Sequence, residues 1–461
     1  MSGLYGTLSI ALSALATSQQ ALETTSNNVA NANTPGYSRE VPVLEPGAPL
    51  LFGSLSLPTG VVLDKIESLR DPILEIQLNQ ETQQNSYQNA QLAQLQQIQT
   101  GFSSATSGIG ADITNFFNSL QQLSPDPTNL ALRQAVLTAA GNMATDFNTA
   151  ANNLEVQRSN LDQTVVEDVG EINTLTAQIA NVSQQIGVLQ NQDESTGPLV
   201  DQQTSLIRQL SGLIDVQVIS TGQGGIELTT SNGTPLVSGI QSFALSTEVG
   251  SDGTEHVMSG TQDITDSLTG GSLAGTIQIR DQEIPGMLSQ LDQLAAGLSN
   301  ALNAANQEGY DLNGNAGGNL FSVPPAGGTG AAAAMQVAIT DPSLIAASSD
   351  GTQGSNGNLA NLSAVANQNV ANGETPIDFY SNLVFQVGST TSNTSAEADA
   401  SSQILQQLND QRGSVSGVSL DEEAANMVQY QTAYQAAARV VSTVSSLLDD
   451  AVNLGIDAAV Q

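Results

Sequence analysis

The sequence has no cysteine and no tryptophan, a single histidine, and only nine lysines and arginines in 461 residues. Without cysteine there can be no disulfide, no Cys-ligated metal and no thiol catalysis. One histidine is too few for a zinc helix of the HExxH type, which needs two. The nine bases face 44 acids, for a net charge of −35. That balance excludes nucleic-acid binding, which requires cations to neutralise phosphates, and an anionic membrane surface would repel the chain. Aromatic residues make up 3%, which argues against one large interlocked core. No run approaches the ~18 apolar residues that mark a membrane span. The opening "MSGLYGTLSIALSALATS" has no basic n-region, since the first base is Arg39, and its apolar residues are spaced. It is therefore expected to be a helix rather than a cleaved signal.

What remains is rich in Ala, Gln, Asn, Ser, Leu and Val, a mix that suits long helices packed through narrow seams. Charged residues are only 11%, so the surface is polar and neutral rather than that of an acidic disordered tail. The length suggests two to four domains.

Near the N-terminus Leu4, Leu8, Ala11, Leu15, Ser18, Leu22, Thr25 and Val29 follow steps of four and three. This is a thin heptad seam. It runs into four asparagines (Asn27, Asn28, Asn31 and Asn33) and then Thr34-Pro35-Gly36-Tyr37. Pro35 pushes Thr34 out of the helical region, and Gly36 permits a left-handed turn. Asparagine amides at such a stop can cap and bridge backbone groups. Residues 40–63, with Pro42, Pro46, Pro49 and Pro58, are expected to be an extended linker with short strand pieces.

Asp71 followed by Pro72 is an N-cap and first helical residue. The helix they open is expected to carry its seam on Ile73, Ile76, Gln80, Gln83, Tyr87 and Ala90. Pro125 and Pro127 open a long helix to about residue 192, with Ile172, Leu175, Ile179, Val182, Ile186 and Leu189 in strict period. Residues 215–279 change texture. Short alternating runs, including "GTIQIR" at residues 275–280, are separated by Gly224-Gly225, Asn232-Gly233 and Asp252-Gly253, which are hairpin signals. Helical spacing resumes at Ile284. The last stretch spaces Leu420, Met427, Tyr434, Val441 and Leu448 seven apart, with Ala424, Gln431, Ala438, Ser445 and Val452 between. Ser419 with Glu422 three residues on has the form of a capping box.

The expected fold is mainly α with a small all-β inserted domain. It is elongated, with the N- and C-terminal helices paired as a coiled coil and a helical bundle in the middle. The expected domains are residues 1–63 with 415–461 as the terminal assembly part, 64–214 with 280–414 as the bundle, and 215–279 as the β insert. Thin helices are marginal alone, so the two ends are expected to order when copies pack together.

No catalytic or metal site is expected, and no cofactor. His256 is read as a solvated side chain beside Glu255. Asp311-Leu312-Asn313-Gly314-Asn315 begins like a calcium loop, but its twelfth position is Ser322 where a Glu is needed, so a turn is expected. Asp421, Glu422 and Glu423 are expected to complement a helix dipole. Gly222, Gly224 and Gly225 have no following Lys or helix and so form no phosphate cradle.

The stretch "NNVANANTPGYSRE" (residues 27–40) resembles the N-terminal signature of bacterial flagellar rod, hook and hook-associated proteins, and its TPGYSR form resembles the hook-associated protein 1 (FlgK) family. The run "NMVQYQTAYQAAAR" (residues 426–439) and "GYDLNGNAGGNLF" (residues 309–321) are similar to the same family. The resemblance implies a structural, non-enzymatic subunit at the hook–filament junction of the flagellum. It further implies export through the flagellar channel, an N-terminal export signal, and an extracellular place on the flagellum. The implied partners are the chain itself in a ring of several copies, the hook protein, the second junction protein, and a cytoplasmic chaperone on the C-terminal helix. A hook or rod subunit, a secreted coiled-coil adhesin and an exported enzyme are the alternatives.

Overall fold

The computed structural model describes residues 2–52, 55–57, 59–102, 108–192, 194–221 and 225–457. Pro58, Gly222 and Gly224 lie outside the described residues, as does the Val452 side chain. The protein is mainly helical with small antiparallel sheets. It divides into two compact units, residues 1–82, 172–244 and 402–461, and residues 83–171 and 245–401.

In the first unit, helix α1 (Ser2–Asn31) is followed by strands β1 (Glu40–Pro46), β2 (Leu50–Phe52), β3 (Leu55–Leu57) and β4 (Val61–Ser68). β1 pairs antiparallel with β4, from Glu40 opposite Ser68 to Pro46 opposite Val61, with a register shift after Val43. Pro42 and Pro46 of the expected linker are thus accommodated in a two-stranded edge ladder, where a missing N–H costs little. Helix α2 (Pro72–Phe102) starts where Asp71 Oδ1 accepts from the amides of Ile73 (2.9 Å) and Leu74 (3.3 Å). Its buried face begins Leu74 and Leu78, while Ile73 and Ile76 are exposed. The expected seam is therefore displaced, because Glu75, between them, is drawn into an ion-pair network described below.

The later part of helix α4 (Leu130–Gln190) buries Ile172, Leu175, Ile179, Val182 and Ile186, and α5 (Gly197–Leu213) buries Leu206, Ile207 and Leu210. Gln203 Nε2 donates to Ser183 Oγ at 2.8 Å. β5 (Gln217–Thr221), β6 (Gly225–Thr229), β7 (Pro235–Ser238) and β8 (Gln241–Ser242) form a meander in sequence order. Its Asn232-Gly233 turn has Gly233 at φ 88°.

The second unit holds a contiguous core drawn from several helices. They are the later part of α2, α3 (Ile109–Leu123), the earlier part of α4, α7 (Ile284–Gln307), α8 (Gly357–Ala364) and the start of α9 (Pro376–Ser416). Phe116 packs edge-on to both Phe117 and Phe321. Asn129 Oδ1 caps α4 by accepting from the amides of Ala131 and Leu132. β9 (Leu245–Val249), β10 (Glu255–Ser259) and β11 (Gln262–Asp263) form a second sheet, ordered β11-β10-β9. The β-rich stretch expected over residues 215–279 thus contributes one sheet to each unit.

Its last part is not strand. Residues 275–280 lie in α6 (Gly271–Gln278) and the π-helical turn that follows. Leu273, Ala274, Ile277 and Ile279 are all buried, so the alternation of "GTIQIR" marks no solvent face. Gly275 permits the helical packing, since a Cβ there would sit 2.5 Å from Tyr87 O. Arg280, wholly buried in the π turn, pairs with Asp162 (2.8 Å) and Asp281 (2.7 Å) and donates to Glu255 O at 2.8 Å.

His256 is not freely solvated. Its Nδ1 lies 2.6 Å from Asp263 Oδ2 and its Nε2 3.1 Å from Asp252 Oδ1. Asp311 closes a turn by accepting from the amides of Asn313 and Asn315. No helix among the described residues is long and apolar enough to cross a membrane.

Candidate assembly site where the terminal helices meet

Helix α10 (Leu420–Asp457) packs along α1, and α1 also packs on the β1–β4 ladder. Thr17 Oγ1 donates to Val61 O at 3.2 Å, and Ser13 makes the same contact. On α1 the buried positions are small or polar: Ala11, Thr17, Ser18, Ala21, Thr24, Thr25 and Asn28. Leu4, Leu8, Leu15 and Leu22 are half-buried, and Val29 is exposed. Val29 misses the seam because Asn28, one position earlier, occupies the buried face.

On α10, Met427, Tyr434, Val441 and Leu448 are half-buried and Leu420 is exposed, one residue into the helix. Between them the buried positions are Glu423, Ala437 and Val444, with Tyr430 half-buried, and Ala424, Gln431 and Ser445 are exposed. The heptad therefore runs three-then-four rather than four-then-three after each of Met427, Tyr434 and Val441. Glu423 sets this phase, because it faces α1.

The asparagine cluster does several different things. Asn28 is 1% exposed and its side chain is fully used. Nδ2 donates to Glu40 O (2.8 Å) and to Glu423 Oε2 (3.2 Å). Oδ1 accepts from Glu40 N (2.9 Å) and from the Tyr37 hydroxyl (2.8 Å). Asn31 Nδ2 donates back to Asn27, at the carbonyl and at Oδ1, and Asn31 Oδ1 accepts from Thr34 Oγ1. Asn33, Thr34 and Pro35 are exposed. Tyr37 N donates to Thr34 O at 3.2 Å and Gly36 sits at φ 83°. Pro at the second and Gly at the third position is the pattern a type II turn requires.

Four of the nine cations converge here, Arg39, Arg70, Arg208 and Arg412. Arg39 reaches Glu423 Oε1 (2.6 Å) and Glu422 Oε2 (2.5 Å), and its backbone N–H donates to Ser416 O at 2.9 Å. Glu422 thus serves Arg39, while Ser419 Oγ faces the Glu422 amide at 3.5 Å. Asp201 on α5 accepts from Ser38 N (3.0 Å), Ser38 Oγ (2.7 Å) and Arg70 (2.8 Å). Glu75 takes Arg412 on one oxygen (2.6 Å) and Arg208 on the other (2.5 Å), and Arg412 also donates to Gly36 O at 2.9 Å.

The Tyr37 hydroxyl is pushed well above its ordinary value by burial and by Glu40, Asp201 and Glu423. Burial and then Asp201 raise the Glu40 carboxyl. In a chain so poor in cations, this network fixes the end of α1, the turn, β1, the start of α2, α5, the end of α9 and the start of α10 in one arrangement. Sequence reasoning missed Asp201, Glu75, Arg70, Arg208, Arg412 and the buried role of Glu423. The scarcity of arginine was the available signal, since each arginine in a chain of −35 has a surplus of acids to choose from.

Three family models match the chain in order. A flagella basal body rod protein model matches residues 8–37, the helical domain of flagellar hook-associated protein FlgK matches 95–321, and the C-terminal domain of the basal body rod FlgEFG proteins matches 411–454. Flagellar hook-associated protein 1 of Bacillus subtilis (strain 168) is 29% identical over 502 aligned residues, covering 98% of this chain and 99% of that protein. The Salmonella typhimurium protein of the same name is 27% identical, covering 96% and 99%. The solved flagellar hook junction protein FlgK from Burkholderia pseudomallei shares the fold, with a TM-score of 0.67 at 19% identity, over 74% of this chain and all of that one. The chain belongs to the flagellar hook-associated protein 1 (FlgK) family and is a structural subunit of the bacterial flagellum.

Proposed function

We propose that this subunit forms the layer between hook and filament, and that it assembles through its two terminal helices acting as a coiled coil. The observation that carries the reading is the lock between the two ends, in which Asn28 and Arg39 on the N-terminal side hold Glu423 on α10. Residues 1–63 and 415–461 act as the assembly part. Its motif is Asn27, Asn28, Asn31, Asn33, Thr34, Pro35, Gly36 and Tyr37. Leu4, Leu8, Leu15, Leu22 and Val29 on α1, and Leu420, Met427, Tyr434, Val441 and Leu448 on α10, are the side chains that copies and neighbours engage. The partners are further copies in a ring, the hook protein below, the second junction protein above, and a chaperone on α10 before export. The N-terminal segment is the export signal, and the assembled protein is extracellular.

One other reading has specific support. The rod-type matches at residues 8–37 and 411–454 fit a rod or hook subunit equally well. The FlgK helical-domain match over residues 95–321 favours the junction.

The test is complementation of a host strain lacking the gene. Full-length protein is expected in isolated hook–filament structures. Versions without residues 2–31 or without 420–457 are expected to be missing from them. Equal incorporation of either truncated version would overturn assembly through the terminal helices.

A further inference from the structure

A cavity of about 690 Å³ opens in the second unit, between the middle of α4, the first half of α7, the loop at residues 327–333, and Val370 with Ala371. Its walls are fixed by specific contacts. Asp292 on α7 accepts from the amides of Gly330 (2.7 Å) and Ala332 (2.9 Å), which engages both of its carboxylate oxygens with the loop. Gly327, Gly328 and Gly330 take φ of 85°, 82° and 76°, which residues with a side chain rarely adopt. Gly297 lets the Val370 segment close on α7, since a Cβ there would collide with the Val370 carbonyl oxygen.

Arg158 on α4 lines this cavity, and its Nε is buried without a hydrogen-bond partner. The residue is half-buried and joins none of the hydrogen bonds or ion pairs among the described residues. With 44 acids for nine cations, that is unusual. Arg39, Lys65, Arg70, Arg208, Arg280 and Arg412 all pair with carboxylates. Arg133 donates to main-chain carbonyls. Arg439 also joins no ion pair among the described residues, but it is exposed on α10, where water serves it. A buried N–H has no such recourse, and leaving its hydrogen bond unmade is costly. The cavity's own acids do not neutralise Arg158. Asp292 is engaged with the loop, and Glu155, one turn earlier on α4, is exposed and forms no ion pair with it.

We propose that this cavity binds a small organic monocarboxylate with an apolar body, whose carboxylate pairs with Arg158 through Nε and one Nη. A guanidinium presents two parallel N–H groups along that edge, matched to the two oxygens of a carboxylate. Leu288, Ala296 and Val370 line the same cavity and offer the ligand's body an apolar surface. The volume falls in the range of ~300–1,000 Å³ common to small-molecule sites. One cation matches one negative charge. A phosphate would bring a second charge to a wall that already carries Glu155 and Asp292. The cavity lies outside the terminal helices, so this ligand is independent of the assembly role proposed above.

The test is a ligand-observed NMR titration of the purified full-length chain. Hexanoate is the probe, and hexanamide is its uncharged counterpart. Hexanoate is expected to bind saturably and hexanamide not to bind. Arg158→Gln is expected to weaken hexanoate about tenfold or more, the worth of a charge-assisted pair. Ala333→Leu narrows the cavity and leaves Arg158 in place. It is expected to weaken hexanoate as well, with the thermal unfolding midpoint unchanged. Undiminished binding in Arg158→Gln would overturn Arg158 as the recognising group, and undiminished binding in Ala333→Leu would overturn the cavity as the site. Inorganic phosphate binding as tightly as hexanoate would overturn the apolar body. A tighter hold on an end-capped alanine peptide with one central glutamate would overturn the small molecule as occupant in favour of a polypeptide side chain. No saturable binding of either hexanoate or benzoate to the folded chain would overturn the proposal outright.

Discussion

Asn28 on α1 and Glu423 on α10, 395 positions apart in the chain, share a hydrogen bond of 3.2 Å in a buried site. Each is also held by a second group, Asn28 by the Glu40 backbone and Glu423 by Arg39. The N-terminal motif is thus closed by a residue from the other end of the protein.

Replacing Asn28 by Ala leaves the Glu40 amide and carbonyl and the Tyr37 hydroxyl without their partner. An unsatisfied buried group costs about 1–3 kcal/mol, so the first unit is expected to lose about 3 kcal/mol, read as a lowered urea midpoint. Asn33→Ala, in the same motif but exposed, is expected to stay within about 0.5 kcal/mol of the wild type. Equal effects of the two would contradict the roles assigned here.

Arg39→Ala strands the Glu423 carboxylate, whose side chain is 2% exposed. Removing one partner of a buried pair costs about 3–5 kcal/mol. The partial exposure of Arg39 reduces this to about 2–3 kcal/mol. Adding Glu423→Gln is expected to recover most of the loss, because no buried charge then remains. A double-mutant cycle with no coupling between the two positions would contradict the lock.

Gly417 stands between α9 and α10, where a Cβ would lie 2.2 Å from the backbone oxygen of Gly413. Gly417→Ala is expected to redirect α10 and open the Arg39–Glu423 pair. Hydrogen exchange at the Glu40 amide reads this directly. Unchanged protection there would show that the close approach has no bearing on the lock.

The single histidine gives one imidazole signal to titrate by NMR. Its hydrogen bond to Asp263, with that to Asp252 and both negative charges, holds the His256 pKa above 6.5. The Thr254 hydroxyl and His256 hold Asp252 down to about 2. A raised histidine contributes stability that is complete below its unfolded value near 6.5 and is lost as pH rises through the folded value. A lowered carboxyl contributes stability present above its unfolded value near 3.8 and lost as pH falls toward 2. The β9–β11 sheet is therefore expected to be most stable between those ranges. His256→Gln is expected to remove the alkaline decline. An imidazole midpoint at or below 6.5 would contradict the clasp.

Much of this was legible in the sequence. The start of α2 followed its cap at Asp71-Pro72, because cap chemistry is local, whereas the Asn129 cap of α4 went unread beside Pro125 and Pro127. The β hairpins at Asn232-Gly233 and Asp252-Gly253 were marked by glycines that occupy positive φ. "GTIQIR" misled because alternation cannot distinguish a half-buried strand from a wholly buried helix. The phase of α10 was not legible, since three-then-four and four-then-three spacing fit the same apolar residues until Glu423 is seen to face Asn28. Asp201 and Glu75 escaped notice because their partners lie more than a hundred residues away, and nothing local distinguishes a paired carboxylate from a solvated one.

The most direct measurement is immunogold labelling of purified hook–filament structures with an antibody to this chain. A single band of label at the boundary between hook and filament is the predicted result. Label spread along the hook or rod, or none on the structures at all, would contradict the account.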